Sequence, residues 1–550
     1  MANSRVVIIG GVAGGMSAAT RLRRLNENLE IIVLEKSGHV SYANCGLPYY
    51  LGGVIKHESS LLLQTPQSLH QRFNLDVRVN NEVISIDPNN KKLTINEIDK
   101  NSLYELTYDQ LILSPGATPV IPPIKGVENA FTLRNVEDVE KIFKEVSGKP
   151  NNAVVIGGGF IGVEVAENFI HQNISTVLIE ATSQVLAPLD PEMASIVANE
   201  MQKNGVKLIL EDSVVEITEK EVVLKSGQRL DSELTILAIG VKPDISLAQS
   251  AKLEIGSKNG IKVNEFFQTS DPNIFAIGDA VEKEDELTKE STLIPLANIA
   301  NRQGRVVADF ISGKKIRTVS NLGTAIVKVF DLMVATTGWN EKRLIQTKRN
   351  YVAIHTHPNN HAGYYPGAKQ MSLKILVDKN THEILGAQGV GVDGVDKRID
   401  VIATAIKAKF KAYELADLEL SYAPPFGSAK DPVNMLGYIA ENALNKTVEL
   451  AQWHEIDELI KSGYVLVDVR TKDEYDQNDL PGSINIPLDE LRNRHHEIGS
   501  KKVLIHCQVG LRGHTASMLL NQFGYEAKNL SGGFLTWRNS PAANKLSYQK

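Results

Sequence analysis

Cys45 and Cys507 are the only thiols in 550 residues, and each lies in a segment suited to sulfur chemistry. Cys45 sits in Ser41-Tyr42-Ala43-Asn44-Cys45-Gly46-Leu47-Pro48, and Cys507 opens the loop Cys507-Gln508-Val509-Gly510-Leu511-Arg512 after the apolar run Val503-Leu504-Ile505. Free cysteine usually packs as a small hydrophobe, but both contexts read as reactive sites. Cys45 has no second cysteine nearby, and position 50 is Tyr50. A lone thiol can form a mixed disulfide with a small thiol or be oxidised to sulfenic acid. The first route makes a thiol reductase, the second a peroxidase or oxidase. At Cys507 a strand runs into the thiol and a helix is expected from about Gly513. Backbone N–H groups of that turn, with Arg512, would surround the sulfur with positive potential. Such a setting lowers a thiol pKa and stabilises an anionic persulfide.

The elements that must position Cys45 begin with Val6-Val7-Ile8-Ile9-Gly10-Gly11-Val12-Ala13-Gly14-Gly15, a strand and a glycine turn, with a helix expected from about Met16. A second strand, Ile31-Ile32-Val33-Leu34, ends at Glu35. Strand, turn, helix and a later acid form a dinucleotide-binding unit, with the glycines admitting a pyrophosphate and the acid holding ribose hydroxyls. The pattern recurs in full at Ile156-Gly157-Gly158-Gly159-Phe160-Ile161-Gly162, whose following strand Thr176-Val177-Leu178-Ile179 ends at Glu180. An acid there favours NADH, since it repels the extra 2′-phosphate of NADPH. A third element, Ile274-Phe275-Ala276-Ile277-Gly278-Asp279-Ala280, ends an apolar strand in Gly-Asp, where the carboxylate can bond a flavin's ribityl chain.

With Leu111-Ile112-Leu113-Ser114-Pro115-Gly116-Ala117 and Leu237-Ala238-Ile239-Gly240, this set resembles the two-dinucleotide flavoprotein disulfide reductases over about residues 1–445. The resemblance implies FAD on residues 1–112 and 250–324, NADH on 113–249 and a dimerisation domain over 325–445. Cofactor positions carried over are Gly10, Gly11, Ala13, Gly14, Gly15, Glu35, Lys36, Ala117, Gly278 and Asp279 for FAD. For NADH they are Gly157, Gly159, Phe160, Ile161, Gly162, Glu180 and Gly240. The stretch around Cys45 further resembles the coenzyme A disulfide reductases, whose cysteine exchanges electrons with coenzyme A; NADH peroxidases and oxidases share the single-cysteine layout. Ser17, Arg21 and Arg24 share one helix face, a basic stripe suited to phosphates. In the resemblance these three contact coenzyme A together with Ser41, Asn44 and Lys430, while Asn301 stands where some relatives have histidine. It also implies that Tyr364 and Tyr422 reach across a homodimer toward the redox cysteine. A phenol there could donate to a leaving thiolate.

After a linker at 446–455, residues 456–545 form a fresh α/β domain. Its series Val465-Leu466-Val467-Asp468-Val469-Arg470, Leu480-Pro481-Gly482, His506-Cys507 and Leu530-Ser531-Gly532-Gly533-Phe534 resembles the rhodanese domains. The six residues from Cys507 to Arg512 suit sulfur transfer, whereas related phosphatases use a longer loop. His355, His357 and His361 lack cysteine or acidic neighbours in sequence and read as loop or interface residues rather than metal ligands. The formal charge, 59 minus 65 or −6, gives no support to nucleic-acid binding as the main role. No apolar run approaches the roughly 18 residues that span a membrane, Met1-Ala2-Asn3-Ser4-Arg5 shows no signal peptide, and two reactive thiols fit a reducing, cytoplasmic setting. The expectation is therefore an α/β protein with two Rossmann-like domains, an α+β dimerisation domain and a rhodanese domain. It would use NADH, FAD and coenzyme A to reduce coenzyme A persulfide, polysulfide or coenzyme A disulfide. An NADH oxidase or peroxidase, or a redox-sensing protein without turnover, stands as the alternative.

Overall fold

Continuous apolar runs make strands buried on both faces, as a parallel sheet under helices requires, and the first unit is built on two such sheets. The computed structural model describes residues 4–543, so Met1-Ala2-Asn3 and positions 544–545 of the expected rhodanese domain lie outside the described residues. The chain divides into two units, Met1–Ser183 with Gly205–Gly323, and Gln184–Asn204 with Thr324–Lys550.

In the first unit Arg5–Ile9 pairs in parallel with Glu30–Leu34 on one side and Gln110–Leu113 on the other. Asp76–Arg78 and Ile274–Ala276 complete the five-stranded sheet at its edges. The last of these strands arrives in the sheet only after the second nucleotide-binding segment has intervened. Helix Ala13–Leu25 packs on helix Ala297–Ile311 where Gly304 faces the Gly14 carbonyl; a Cβ at Gly304 would lie 2.4 Å from that oxygen. The second parallel sheet runs Lys207–Leu210, Ser175–Glu180, Asn152–Ile156, Leu234–Leu237, Phe131–Thr132. Three-stranded antiparallel meanders, Asn81–Asp87 to Ser102–Thr107 and Val214–Ile217 to Arg229–Asp231, accompany the two sheets.

The second unit holds an antiparallel sheet ordered Ala325–Val329, Leu332–Gly338, Ile384–Gly391, Met371–Asp378, Tyr351–Thr356. Met371–Asp378 is buried along its whole length. Helix Val395–Lys407 closes on Ile384–Gly391 because Gly389 lacks the Cβ that would stand 2.7 Å from Val395. Helix Pro191–Lys203 also belongs to this unit, so the expected 113–249 nucleotide domain does not keep all of its own helices. Its Asp190 and Glu192 instead meet Lys374 in the antiparallel sheet.

A third parallel sheet follows, ordered Glu449–Ala451, Glu526–Leu530, Lys502–His506, Val465–Asp468, Ile484–Asn485. The expected linker 446–455 therefore needs correction. Glu449–Ala451 within it is an edge strand of the C-terminal sheet, paired in parallel with Lys528–Leu530. Among the described residues no helix is long and apolar enough to cross a membrane.

Candidate active site

The two glycine turns are built alike. Gly10 and Gly157 take φ of 100° and 111°, which L side chains rarely adopt. A Cβ on Gly15 or Gly162 would stand 1.9 Å from the carbonyl oxygen of Gly10 or Gly157 respectively, so helix and turn can meet only at glycine. Helix Ala13–Leu25 starts earlier than Met16 because the glycines themselves form its first turn. Glu35 accepts from Gly11 N–H at 2.8 Å and from Ser37, and Glu180 accepts from Gly158 N–H at 2.7 Å and from Thr182. Each acid thus ties its strand end to its turn, beside the helix N-terminus where a pyrophosphate binds. Both cradles fit a dinucleotide. Gly159 and Gly240, in contrast, have open space where a Cβ would be and carry no such packing demand.

Gly278 takes φ 80° and donates to Gln303 at 2.8 Å. Asp279 lies 3.6 Å from the Arg134 guanidinium, which also donates to the Ala117 carbonyl at 2.9 Å. With its amide turned to suit, Asn44 bonds the Arg134 carbonyl and guanidinium, both at 2.8 Å. Arg134 therefore joins Asp279, Ala117 and Asn44, a link that no local motif announces. Lys283, buried beside this turn, donates to the Gly278 and Val281 carbonyls, and burial lowers its pKa to about 8.

Cys45 occupies the tight turn Asn44–Gly46, ahead of the short helix Leu47–Leu51 that Pro48 helps to start. The residue is exposed, yet protein packed around one side of the thiol pushes its pKa up. The carboxylates of Glu164 and Asp279 act in the same direction, and Arg134 opposes them. Glu164, from helix Phe160–His171, accepts from the Tyr49 hydroxyl at 3.1 Å. Burial raises the Glu164 carboxyl to about 7 and pushes the Tyr49 phenol up. A lone acid in the apolar run Phe160–Val165 was the available signal for it. Ser41, next to the thiol segment, is held at φ 49° by its N–H bond to the Gly11 carbonyl at 2.8 Å.

The basic stripe is less free than its spacing suggests. Ser17 donates to Asn301 at 2.8 Å, Arg21 pairs with Asp309 at 2.7 Å, and Arg24 stands over the Phe73 ring at 5.9 Å. Lys36 lies 3.9 Å from Asp244. In the second unit Lys430 lies 5.8 Å from the centre of the Tyr438 ring. Tyr364 and Tyr422, 76% and 50% exposed, bring their hydroxyls within 3.3 Å of each other.

Cys507 is fully buried at the end of Lys502–His506, and its Sγ accepts from Gly510 N–H at 3.2 Å. Gly510, at φ 93°, turns the loop into helix Leu511–Gln522, which begins two residues before Gly513. Arg512 makes a bidentate pair with Glu474, both bonds 2.7 Å, which holds the Glu474 carboxyl down at about 2. Sequence reading missed Glu474, although it lies in the strand-to-helix segment that the Asp468-Val469-Arg470 run opens. Below the loop Asp468 grips Arg470 at 2.7 Å, and buried His506 is neutral, its pKa lowered to about 4.

Of the three clustered histidines, His361 stays local, with Nδ1 3.1 Å from the Ala362 carbonyl. His355 and His357 are buried and bond C-terminal residues. Asp190, Glu192 and Glu341 bring carboxylate oxygens within 4.8 Å of one another. The Lys374 ammonium takes the place a cation would need, at 2.9, 2.5 and 2.9 Å from the three.

Twin glycine cradles on parallel sheets, each closed by an acid, with one thiol beside the first, define a two-dinucleotide oxidoreductase. The chain belongs to the pyridine nucleotide-disulphide oxidoreductases: the family model matches residues 4–304, the family's dimerisation domain 324–432, and a rhodanese-like domain 452–540. Among solved structures it is similar to reduced Bacillus anthracis CoADR-RHD, with 50% identity, a TM-score of 0.96 and 98% of each chain covered. A NAD-dependent persulfide reductase from A. fulgidus shares 36% identity and a TM-score of 0.91, over 97% of this chain and all of that one. A coenzyme A disulfide reductase of Staphylococcus haemolyticus is 34% identical, over 80% of this chain and 99% of its own length. An NADH oxidase of Methanocaldococcus jannaschii is 36% identical, over 80% and 99%.

Proposed function

We propose that this protein is an NADH-dependent reductase of coenzyme A persulfide, polysulfide or coenzyme A disulfide, acting at Cys45, with Cys507 handling sulfane sulfur. The observation that carries the reading is the pairing of thiols. A solitary exposed cysteine lies in a segment whose Ser41 N–H bonds the first cradle at the Gly11 carbonyl, and the one other cysteine heads a loop whose Gly510 N–H reaches its sulfur. A disulfide reductase alone has no need of the second.

Gly10–Gly15, Glu35 and Asp279 would hold FAD, which would supply two-electron transfer between NADH and sulfur, and Gly157–Gly162 with Glu180 would hold NADH. The Cys45 thiolate attacks the coenzyme A sulfur of the persulfide, forms a mixed disulfide and releases sulfide. Two electrons from NADH then restore the Cys45 thiolate and free coenzyme A. One persulfide, one NADH and one proton thus become one thiol, one hydrogen sulfide and one NAD. Ser17, Arg21, Arg24, Ser41, Asn44 and Lys430 bind coenzyme A. The Tyr364 and Tyr422 hydroxyls, reaching in from a second subunit of a homodimer, donate to the leaving thiolate. Arg512 and Gly510 N–H stabilise a persulfide on Cys507. We place the protein in the cytoplasm, with FAD on 1–112 and 250–324, NADH on 113–249, dimerisation on 325–445 and sulfur transfer from 449 on.

The test is anaerobic NADH oxidation, comparing kcat/KM for coenzyme A persulfide with that for coenzyme A disulfide. A large preference for persulfide with sulfide release supports the reading. A preference for hydrogen peroxide or oxygen would replace it by the oxidase reading, and no turnover with any acceptor by the sensor reading. Cys45→Ser should abolish the reaction. Cys507→Ser should spare small coenzyme A substrates while impairing sulfur entry from larger donors.

A further inference from the structure

The Cys507 loop rests on a second segment, and that segment is held from outside its own sheet. Gly532 and Gly533 lie at φ 68° and 63°, and a Cβ on Gly533 would stand 2.3 Å from the Cys507 carbonyl oxygen. Phe534 N–H donates to that same carbonyl at 2.7 Å, and Leu535 N–H donates to the Gln508 carbonyl at 3.0 Å. The backbone of 533–535 therefore sets the height of Cys507 and Gln508.

Both ends of this segment are bonded to the antiparallel sheet. Ser531 Oγ accepts from the His355 main-chain N–H at 3.1 Å and lies 3.0 Å from His355 Nδ1. Thr536 Oγ1 lies 2.7 Å from His357 Nε2. The other ring nitrogens are engaged as well, His355 Nε2 with Glu192 at 2.9 Å and His357 Nδ1 with the Ser372 hydroxyl at 2.9 Å. Glu192 is in turn anchored by Lys374 at 2.5 Å. All four clamp residues are buried, so the bonds do not compete with water and ring orientations are set. Gly532 leaves no slack: a Cβ there would meet Thr536 Oγ1 at 2.0 Å, His355 Cβ at 2.8 Å and His357 Nε2 at 3.0 Å.

We infer that His355 and His357 are positioning residues for sulfur transfer at Cys507. They clamp Ser531 and Thr536 so that 532–535 holds the Cys507–Gln508 backbone and keeps the Gly510 N–H aimed at the sulfur. The inference rests on the role proposed above for Cys507. The physical reason is that preorganised donors act only while they point at the charged sulfur, and a small displacement of the loop loses them. Sulfur transfer would then depend on residues of the antiparallel sheet and not on the C-terminal domain alone.

The test uses the full-length holoenzyme, with glutathione persulfide as donor and cyanide as acceptor. The sulfane sulfur moves to the Cys507 thiolate with release of glutathione, and cyanide carries it away as thiocyanate, with no net oxidation. Thr536→Val removes the hydroxyl and keeps the volume. It should lower kcat for thiocyanate about tenfold, short of the roughly hundredfold that a full 1 Å misplacement can cost, with the donor KM within about twofold. Thr536→Ser should restore at least half the wild-type kcat, and His357→Gln should repeat the Val loss. NADH oxidation with coenzyme A disulfide should hold within about twofold in every variant, which separates a positioning defect from misfolding. The inference is overturned if Thr536→Val and His357→Gln both keep their kcat, if serine restores nothing, or if both activities fall together. A wild-type enzyme that makes no thiocyanate overturns the role of Cys507 and this inference with it. An active wild type with unaffected variants overturns the inference alone.

Discussion

At the scale of single residues, the two thiols were legible from sequence because their neighbours in the chain are also their neighbours in space. Gly510 N–H reaches the Cys507 sulfur within one tight loop. The groups brought to each thiol loop from far along the chain were not legible. Glu164 lies 115 residues from Tyr49, and Glu474 lies 38 from Arg512. Such partners are set by how helices cross, which no local spacing encodes. A prediction follows for Cys45. Glu164 titrates near 7, so above that pH its negative charge disfavours the thiolate. Glu164→Gln removes the charge and should speed iodoacetamide alkylation of reduced Cys45 at pH 8 about threefold. At pH 6, where the wild-type carboxyl is already neutral, the two rates should converge; a uniform change across pH would refute the electrostatic account.

At the scale of elements, the glycine turns were readable because only glycine tolerates both positive φ and zero clearance. Gly162→Ala tests the clearance. Its methyl would stand 1.9 Å from the Gly157 carbonyl, so the helix must shift away from the turn. We expect NADH reduction of the enzyme to fall at least about tenfold while bound flavin, read by its visible absorbance, stays near one per chain. Loss of flavin in parallel would show that the two cradles are not separately built. Helix starts were misjudged, at Met16 for Ala13 and Gly513 for Leu511, because an N-terminal turn without a side-chain cap carries no local marker. The strand Glu449–Ala451 escaped notice for a related reason: three residues signal an edge strand only once their partner Lys528–Leu530 is in place.

At the scale of the whole molecule, buried charge bears on stability. Lys374 is fully buried among Asp190, Glu192 and Glu341, and Lys374→Met would leave three carboxylates facing one another without a cation. The cost should be on the order of 3–5 kcal/mol, read as a lower Tm; an unchanged Tm would show the cluster to be neutral in balance. Buried His506 gives a pH dependence. Its folded pKa, about 4, lies below the ordinary histidine value, so its contribution is full at pH above 6.5 and is lost as pH falls toward 4. Neither ring nitrogen meets a hydrogen-bond partner among the described residues, so His506→Phe should keep near-normal stability at pH 7.5. At pH 5 it should spare on the order of 2 kcal/mol that the wild type loses; equal losses in both would refute it. By itself the sequence determined the class of each domain, the two glycine turns and the two cysteine-bearing loops, because turns, strand periods and cysteine loops are short-range properties. Only the tertiary structure decided that helix Pro191–Lys203 joins the second unit, that Lys374 fills the carboxylate cluster, and that His355 and His357 grip the segment under Cys507. Those outcomes depend on which buried polar groups meet across distant chain segments, and burial makes such pairing obligatory without recording it in local spacing.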